Sequence, residues 1–245
     1  MSGTPLAGQY EQTKLRIAAA CARVGREVAS VRLVAVTKMA SAGQIREAVE
    51  LGMRDLGENR VQVFAEHARE LAEGLRDRPE LLSQVRWHMI GHLQRNKVAD
   101  AMGLASRFHT VDSVRLAGEL ATQAGKRGLR TGVLVQVNAG REAQKYGVSL
   151  EAAAGLCRDV AGMGELDLCG LMAMAPLTDD RQVVRDTFAR TRTLFEQIRG
   201  QLPAAGSFRE LSMGMSQDFE IAIEEGATLV RIGSLLFGQP ERTTP

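Results

Sequence analysis

The sequence predicts a (β/α)8 barrel, and three observations support that prediction. Eight short runs rich in β-branched residues alternate with longer segments of helical periodicity, as the barrel requires. The turn after the first run, TKMAS at 37–41, has no G-x-G-x-x-G pattern, which disfavours the alternative of a doubly wound open sheet. The length of 245 residues, without a long linker or a low-complexity segment, suits one barrel. We therefore expect one domain over 1–245, with an N-terminal helical segment at 1–30 and a short tail at 239–245.

The elements follow one another along the chain with little ambiguity. A helix at 6–26 opens the chain, and its spacing predicts a buried face made of Leu15, Ala18, Ala19 and Ala22. The run at 31–38 (VRLVAVTK) is almost continuously apolar, which is typical of a buried parallel strand. The other strands are predicted at 53–57, 85–90, 108–111, 132–137, 166–174, 210–213 and 228–232. Helices are predicted at 42–51, 61–75, 113–127, 150–162, 180–200 and 217–226.

Composition excludes several classes of protein. Hydrophobic residues make up 44% of the chain, which excludes a disordered or collagen-like protein. The 31 Lys and Arg against 29 Asp and Glu give a net charge of +2, so there is no electrostatic case for binding nucleic acid or an anionic membrane. No apolar run approaches the ~18 residues of a membrane helix, and we expect a cytoplasmic protein. The three cysteines are far apart without a C-x-x-C pair, so we expect buried, reduced thiols.

Lys38 stands at the end of the first predicted strand. Side chains alternate along a strand, so Val34, Val36 and Lys38 share one face. Active sites of barrel enzymes lie at the carboxyl ends of the strands, where a partly desolvated lysine amine can act as a nucleophile in Schiff-base chemistry. A strand-ending lysine that only reaches water is the plainer alternative.

The last two predicted strands add a second indication. Arg231 interrupts an apolar run and needs an acceptor, which could be a carboxylate in an internal ion pair or a ligand. The segment SMGMS at 212–216 and the pair Gly233 and Ser234 follow the seventh and eighth strands. Barrel enzymes often bind phosphate with these two loops. A phosphate site beside a lysine amine indicates either pyridoxal phosphate or the sugar-phosphate substrate of an aldolase.

Five motifs carry a resemblance to a known family. They are AVTK at 35–38, GEN at 57–59, HMIGHLQRNK at 88–97, SMGMS at 212–216 and RIGS at 231–234. In this order and spacing they resemble the pyridoxal phosphate homeostasis proteins (the YggS/PROSC family), which are similar to the N-terminal barrel of alanine racemases. The resemblance runs from about residue 34 to residue 238.

The resemblance implies a barrel of fold type III that holds pyridoxal 5′-phosphate as an internal aldimine. By motif match, Lys38 is the Schiff-base lysine. Ser216, Gly233 and Ser234 match the phosphate-binding positions of the family. Ser234 stands where many relatives have Thr, and either hydroxyl can donate to a phosphate.

The same resemblance implies roles for two more residues and shows two departures. Arg231 matches the arginine that faces the pyridine nitrogen, and Asn59 lies in the block near the cofactor. His92 stands where relatives often have Pro, and Arg95 where they often have Ser, so contacts at this rim are expected to differ. His88 and His92 are four residues apart without a third ligand nearby, so we expect no metal site.

The expected function is intracellular pyridoxal phosphate homeostasis, with the cofactor held on Lys38 and delivered to apo-enzymes. A low-activity amino-acid racemase is the alternative. We expect no robust catalysis, because the chain ends at Pro245 without the second domain that brings a tyrosine base in alanine racemases. The tyrosines here are Tyr10, on the first helix, and Tyr146, in a loop expected near the mouth. We expect a monomer.

Overall fold

The structure, a computed structural model, describes residues 4–140, 146–202 and 207–238. The eight strands are β1 (Arg32–Val36), β2 (Asp55–Glu58), β3 (Arg86–Met89), β4 (Arg107–Val111), β5 (Thr131–Val137), β6 (Leu166–Ala173), β7 (Glu210–Ser212) and β8 (Leu229–Ile232). The helices are α1 (Pro5–Arg23), α2 (Ala42–Glu50), α3 (Val61–Gly74), α4 (Pro79–Leu82), α5 (Val98–Met102), α6 (Val114–Gly125), α7 (Leu150–Ala161), α8 (Arg181–Gln201), α9 (Phe219–Glu224) and α10 (Ser234–Phe237). The predicted tail at 239–245 lies outside the described residues.

The strands form a closed parallel barrel in chain order. Each strand pairs with the next one in sequence, and β8 returns to pair with β1 in the register Val34↔Arg231. The predicted (β/α)8 architecture is confirmed. All eight strands therefore direct their carboxyl ends to the same mouth, where residues from distant parts of the sequence meet.

Local sequence signals account for the helix starts. Ser41 caps α2 and forms a capping box with Gln44, while Ser113 and Asp180 cap α6 and α8 through their side-chain oxygens. These oxygens accept hydrogen bonds from backbone N–H groups that the first helical turn leaves without partners. Such caps place the start of each helix within a residue or two of its predicted position.

The predicted buried face of α1 is wrong. Leu15 is 62% exposed, whereas Ile17, Ala20 and Cys21 are buried. The helix packs on α9, where Arg16 pairs with Glu220 at 3.1 Å, and this contact selects the opposite stripe. Small alanines on both sides of the helix left the sequence pattern without a clear preference.

The predicted burial of the three cysteines is confirmed. Cys21, Cys157 and Cys169 are buried free thiols. Burial raises the pKa of Cys157 to about 12 and that of Cys169 to about 11, so both remain protonated at neutral pH. Among the described residues, every helix is too short or too polar to span a lipid bilayer.

Candidate functional site

One cavity of about 390 Å³ opens at the carboxyl ends of the strands. All six residues predicted from the sequence line it: Lys38, Asn59, Ser216, Arg231, Gly233 and Ser234. They come from the ends of β1, β2, β7 and β8, which the closed barrel brings together. The volume lies within the ~300–1,000 Å³ of typical small-molecule sites.

Lys38 projects into this cavity from the turn after β1. The strand ends at Val36, two residues earlier than predicted, and the N–H of Thr37 makes the last bond to β2, donating to Gly57 O at 3.0 Å. The Thr37 hydroxyl also contacts the buried carboxylate of Glu58. Lys38 itself is exposed and has no hydrogen-bond or ion-pair partner among the described residues. The turn therefore fixes the backbone while the amine remains free to react.

Arg231 lies deep in the cavity, with only 4% of its surface exposed. Its Nη1 donates to Ser212 Oγ at 2.7 Å and its Nη2 to Ala173 O at 3.0 Å. The ion pairs found among the described residues include none with Arg231, so the internal ion pair considered above is not formed there. Burial lowers the pKa of Arg231 to about 10, while Asp218 acts in the opposite direction. The group remains a cation at neutral pH and can only donate.

The loops after β7 and β8 lie against each other. The N–H of Gly233 donates to Ser216 Oγ at 3.3 Å, which joins the two predicted phosphate loops directly. Ser234 is exposed and begins the short helix α10, so it does not lie in an irregular loop as predicted. Gly214 has φ +90°, and a Cβ there would lie 2.5 Å from Ala222 Cβ. The sharp turn that presents Ser216 therefore requires glycine.

Asn59 is positioned by a close backbone contact. A Cβ on Gly91 would lie only 2.1 Å from Asn59 O. The chain after β3 therefore passes against the chain after β2 at a distance that only glycine allows. This contact holds Asn59 at the rim of the cavity.

Two aromatic rings cover one side of the mouth. His92 and Tyr146 stack with ring centroids 3.9 Å apart and planes 15° apart. Asp112 Oδ2 lies 3.7 Å from His92 Nδ1. His88 lies inside the barrel and away from this pair. Within the described ranges, no group of three or more His, Cys, Asp or Glu side chains is placed to hold a metal ion.

Several cavity residues were missed by the sequence reasoning. Met172, Met174 and Gln136 line the floor and wall. Gln136 is 2% exposed, and its Oε1 has no hydrogen-bond partner among the described residues. A glutamine at the inward position of an otherwise apolar strand was the signal that could have found it, because a buried amide requires partners.

The arrangement has a definite chemical character. A free amine, a buried cation that only donates and two hydroxyl-bearing loops face one cavity. The amine can capture a carbonyl carbon, the cation can donate to a neutral acceptor, and the loops can donate to an anion.

Comparison with known proteins identifies similar chains. The profile of the family "Alanine racemase, N-terminal domain" matches residues 15–240. The pyridoxal phosphate homeostasis protein of Aquifex aeolicus (strain VF5) is 38% identical over 224 residues, which cover 91% of this chain and 93% of that protein.

Solved structures agree with these matches. PipY of Synechococcus elongatus PCC7942, in a structure with PLP bound, is 34% identical with a TM-score of 0.74, covering 91% of this chain and all (100%) of that one. An alanine racemase of Clostridium difficile 630 is 16% identical with a TM-score of 0.64, covering 87% of this chain and 54% of that one. This last likeness concerns the fold alone.

Proposed function

The chain belongs to the family of pyridoxal phosphate homeostasis proteins, and from that premise we propose that it binds pyridoxal 5′-phosphate (PLP) at the barrel mouth. In this proposal the protein holds PLP as a Schiff base on Lys38 and serves intracellular PLP homeostasis. The observation that carries the proposal is the meeting of six residues, predicted from separate motifs, around one cavity. The PLP-bound relative adds support, because PLP is part of its solved structure.

The residues present fit this cofactor. The free amine of Lys38 suits the aldehyde, and the joined loops carrying Ser216, Gly233 and Ser234 offer donors for the phosphate. Arg231 lines the floor as a donor suited to the pyridine nitrogen, which in its neutral form is an acceptor. Asn59, held at the rim, completes the proposed set.

Arg231 limits the chemistry that this site favours. PLP, when bound, supplies an aldehyde that captures amines reversibly and a ring that can accept electron density. Because Arg231 stays protonated, it opposes protonation of the ring nitrogen, and the ring then accepts electron density poorly. Lys38 can still form and release its bond. The site therefore suits holding the cofactor better than catalysing carbanion reactions.

The test of this proposal is a visible absorption spectrum of the PLP-loaded protein, followed by borohydride reduction and peptide mass mapping. The expected result is a yellow protein in which reduction fixes the cofactor mass to the peptide containing Lys38. Lys38→Ala should abolish that mass, whereas Lys126→Ala, at the end of α6 and away from the cavity, should behave like the wild type. A protein that cannot be loaded would overturn the proposal in favour of an aldolase-like barrel.

We further propose that the protein delivers PLP to apo-enzymes. Lys38, Gln217 and Ser234 are all exposed at the mouth, so an incoming amine can reach the cofactor. That amine would form a new bond to the carbon that Lys38 holds, the bond from that carbon to Lys38 Nζ would break, and the protons given up by the incoming amine would pass to Nζ, so no other reactant is needed. Transfer to a PLP-dependent apo-enzyme should be faster than release into buffer. Equal rates would contradict delivery.

One observation favours the alternative of a low-activity amino-acid racemase. Tyr146 lines the same cavity as Lys38 and stacks on His92. A tyrosine there offers an acid–base group on the substrate side. If this activity exists, α-deuterium exchange into amino acids should exceed that of free PLP and fall in Tyr146→Phe. Exchange no faster than with free PLP would contradict the racemase alternative, and PLP binding without catalysis would then be the function that stands.

We propose that the protein works in the cytoplasm as a monomer. The large exposed apolar side chains lie on separate elements, such as Leu15 on α1, Val114 on α6 and Leu177 after β6. They do not suggest one continuous interface. Light scattering should give a mass near 26.6 kDa. A value of twice this mass would contradict the proposal.

A further inference from the structure

A hydrogen-bonded series of buried side chains runs through the barrel interior from Arg231 to Asp55. Ser212 Oγ lies 3.0 Å from His109 Nδ1, His109 Nε2 lies 2.8 Å from His88 Nδ1, and His88 Nε2 lies 2.9 Å from Asp55 Oδ1. Ser212, His88 and His109 have no exposed surface, and Asp55 is 4% exposed. Barrel interiors are usually filled by branched aliphatic side chains, so this polar series needs an explanation.

The geometry allows one assignment of protons for neutral imidazoles. Asp55, as a carboxylate, only accepts, so His88 Nε2 carries the hydrogen. A neutral imidazole has one N–H, and His88 Nδ1 therefore accepts from His109 Nε2. His109 Nδ1 must then accept the hydroxyl hydrogen of Ser212.

The charge states agree with this assignment. Burial alone would raise the pKa of Asp55, but hydrogen bonds from Arg86 and His88 outweigh it and hold the pKa well below its ordinary value. Burial lowers the pKa of His88 and lowers that of His109 further, so both rings are neutral. The charged side chains around the two rings are Asp55, Glu210, Arg107, Arg32 and Arg231.

The direction of the series has a consequence at the cavity. With its hydrogen committed to His109, Ser212 presents only lone pairs to Arg231. Ser212 and Ala173 O thus hold two of the N–H groups of Arg231 through neutral acceptors, which orient the guanidinium without cancelling its charge.

We propose that Ser212, His109, His88 and Asp55 are positioning residues that lock Arg231 as a charged donor toward the ligand, each of the first three donating one hydrogen bond to the next. This inference rests on the proposed PLP site, because the ligand is what Arg231 would face. The side-chain hydrogen bonds found for these four residues join them to one another, to Arg231 and to Arg86.

The first experiment does not depend on PLP. Long-range ¹⁵N–¹H spectra of the histidine rings in the full, PLP-free chain at neutral pH should show His88 and His109 as neutral Nε2–H forms. The chain has four histidines, and His67→Gln and His92→Gln assign the other two by elimination. An Nδ1–H form or a charged ring at either position would overturn the proposal.

The second experiment tests the effect on the site. In Ser212→Ala the loaded protein should retain PLP about 10-fold less well, the scale of one lost hydrogen bond to a charged group. Its visible absorption maximum should also move, which a purely structural role would not cause. Ser207→Ala is the matched control, because it also loses one serine hydrogen bond, to Leu168 O at 3.0 Å, away from Arg231.

The outcomes separate this inference from the proposed function. A circular dichroism spectrum and an unfolding transition like those of the wild type establish that Ser212→Ala is folded. If its PLP retention and spectrum then match those of Ser207→Ala, the positioning role is wrong while PLP binding stands. If the wild type cannot be loaded with PLP, the proposed function fails and the positioning of Arg231 for PLP fails with it, whatever ring forms are found.

Discussion

The two ends of the barrel interior handle buried charge in opposite ways. At the amino ends of the strands, Asp55 binds Arg86 through two hydrogen bonds of 2.8 and 2.6 Å, and Glu210 pairs with Arg32 and with Arg107. At the mouth, Arg231 is more deeply buried than Arg32 or Arg86, yet its hydrogen bonds go only to a hydroxyl and a carbonyl. At the amino ends of the strands, here called the closed end, opposite charges neutralise one another. At the mouth, the positive charge of Arg231 has no such partner among the described residues and stays available.

The carboxylates of the two ends show the same contrast. Burial would raise the pKa of Asp55, but Arg86 and His88 lower it overall. Burial raises the pKa of Asp218, and the backbone N–H of Met215 and the more distant Arg231 only partly oppose that rise. The amino ends of the strands are therefore organised for stability, and the mouth keeps a charge available to a ligand.

The largest effect on stability should come from breaking the closed end. Asp55→Ala should lower the free energy of unfolding by about 3 kcal/mol, because it leaves Arg86 and His88 without their acceptor and removes one of the two carboxylates that face Arg32. That value is at the lower end for buried pairs, since Arg86 and Arg32 reach solvent. Urea denaturation measures it. The control Asp167→Ala, which breaks the exposed pair with Arg130, should cost less than about 1 kcal/mol. Equal losses of unfolding free energy in Asp55→Ala and Asp167→Ala would contradict the stabilising role of the closed end.

At the mouth, the free energy of unfolding should depend on close backbone packing, whereas at the closed end it should depend on ion pairs. Gly91→Ala should lower the free energy of unfolding by about 1–3 kcal/mol, because the new Cβ would overlap Asn59 O. The displaced Asn59 should also weaken PLP retention. Gly103→Ala is the control, since nothing lies within 4 Å of its added Cβ. Thermal or urea unfolding of the two variants, with PLP retention measured beside it, tests the difference.

Removing the charge of the mouth should affect stability less than function. Arg231→Met removes a buried cation together with two hydrogen bonds, and these changes oppose each other. The expected change in the free energy of unfolding is within about 1 kcal/mol, since apolar replacement of buried charge is often neutral. PLP retention should fall clearly. A loss of stability as large as that of Asp55→Ala would show that Arg231 stabilises the barrel as the closed end does.

The smallest effects should appear in the pH dependence of the two carboxylates, with opposite signs. The pKa of Asp55 is lowered by folding, so its stabilisation is present above the unfolded pKa, about 3.9, and is lost as the pH falls below it. The pKa of Asp218 is raised, so its contribution is favourable in acid and is lost as the pH rises through the folded value. At pH 7, Asp218→Asn should therefore stabilise and Asp55→Asn destabilise. Both differences should shrink below about pH 4, and shifts of the same sign would contradict the assignment.

Much of the site could be predicted because its signals are local. Lys38 ends an apolar strand, and the loops at 212–216 and 233–234 follow the last two strands, so the barrel rule placed them together. Capping residues are equally local signals, and Ser41 and Ser113 show in the structure why α2 and α6 begin close to their predicted positions. The buried face of α1 could not be predicted, because its partner α9 lies about 200 residues further along the chain.

The sequence by itself determined the barrel and the placement of Lys38 and the loops at 212–216 and 233–234 at its mouth, since strand periodicity and chain order are written in neighbouring residues. Only the tertiary structure decided which partners Arg231 has. Ser212, His109, His88 and Asp55 stand on four different strands, and the sequence of one strand does not show which polar side chain of another strand it will meet. Closing the sheet brings them within hydrogen-bond distance, because a barrel directs alternate side chains of every strand into one interior. That closure converts separate polar residues into a connected support for the cation at the mouth.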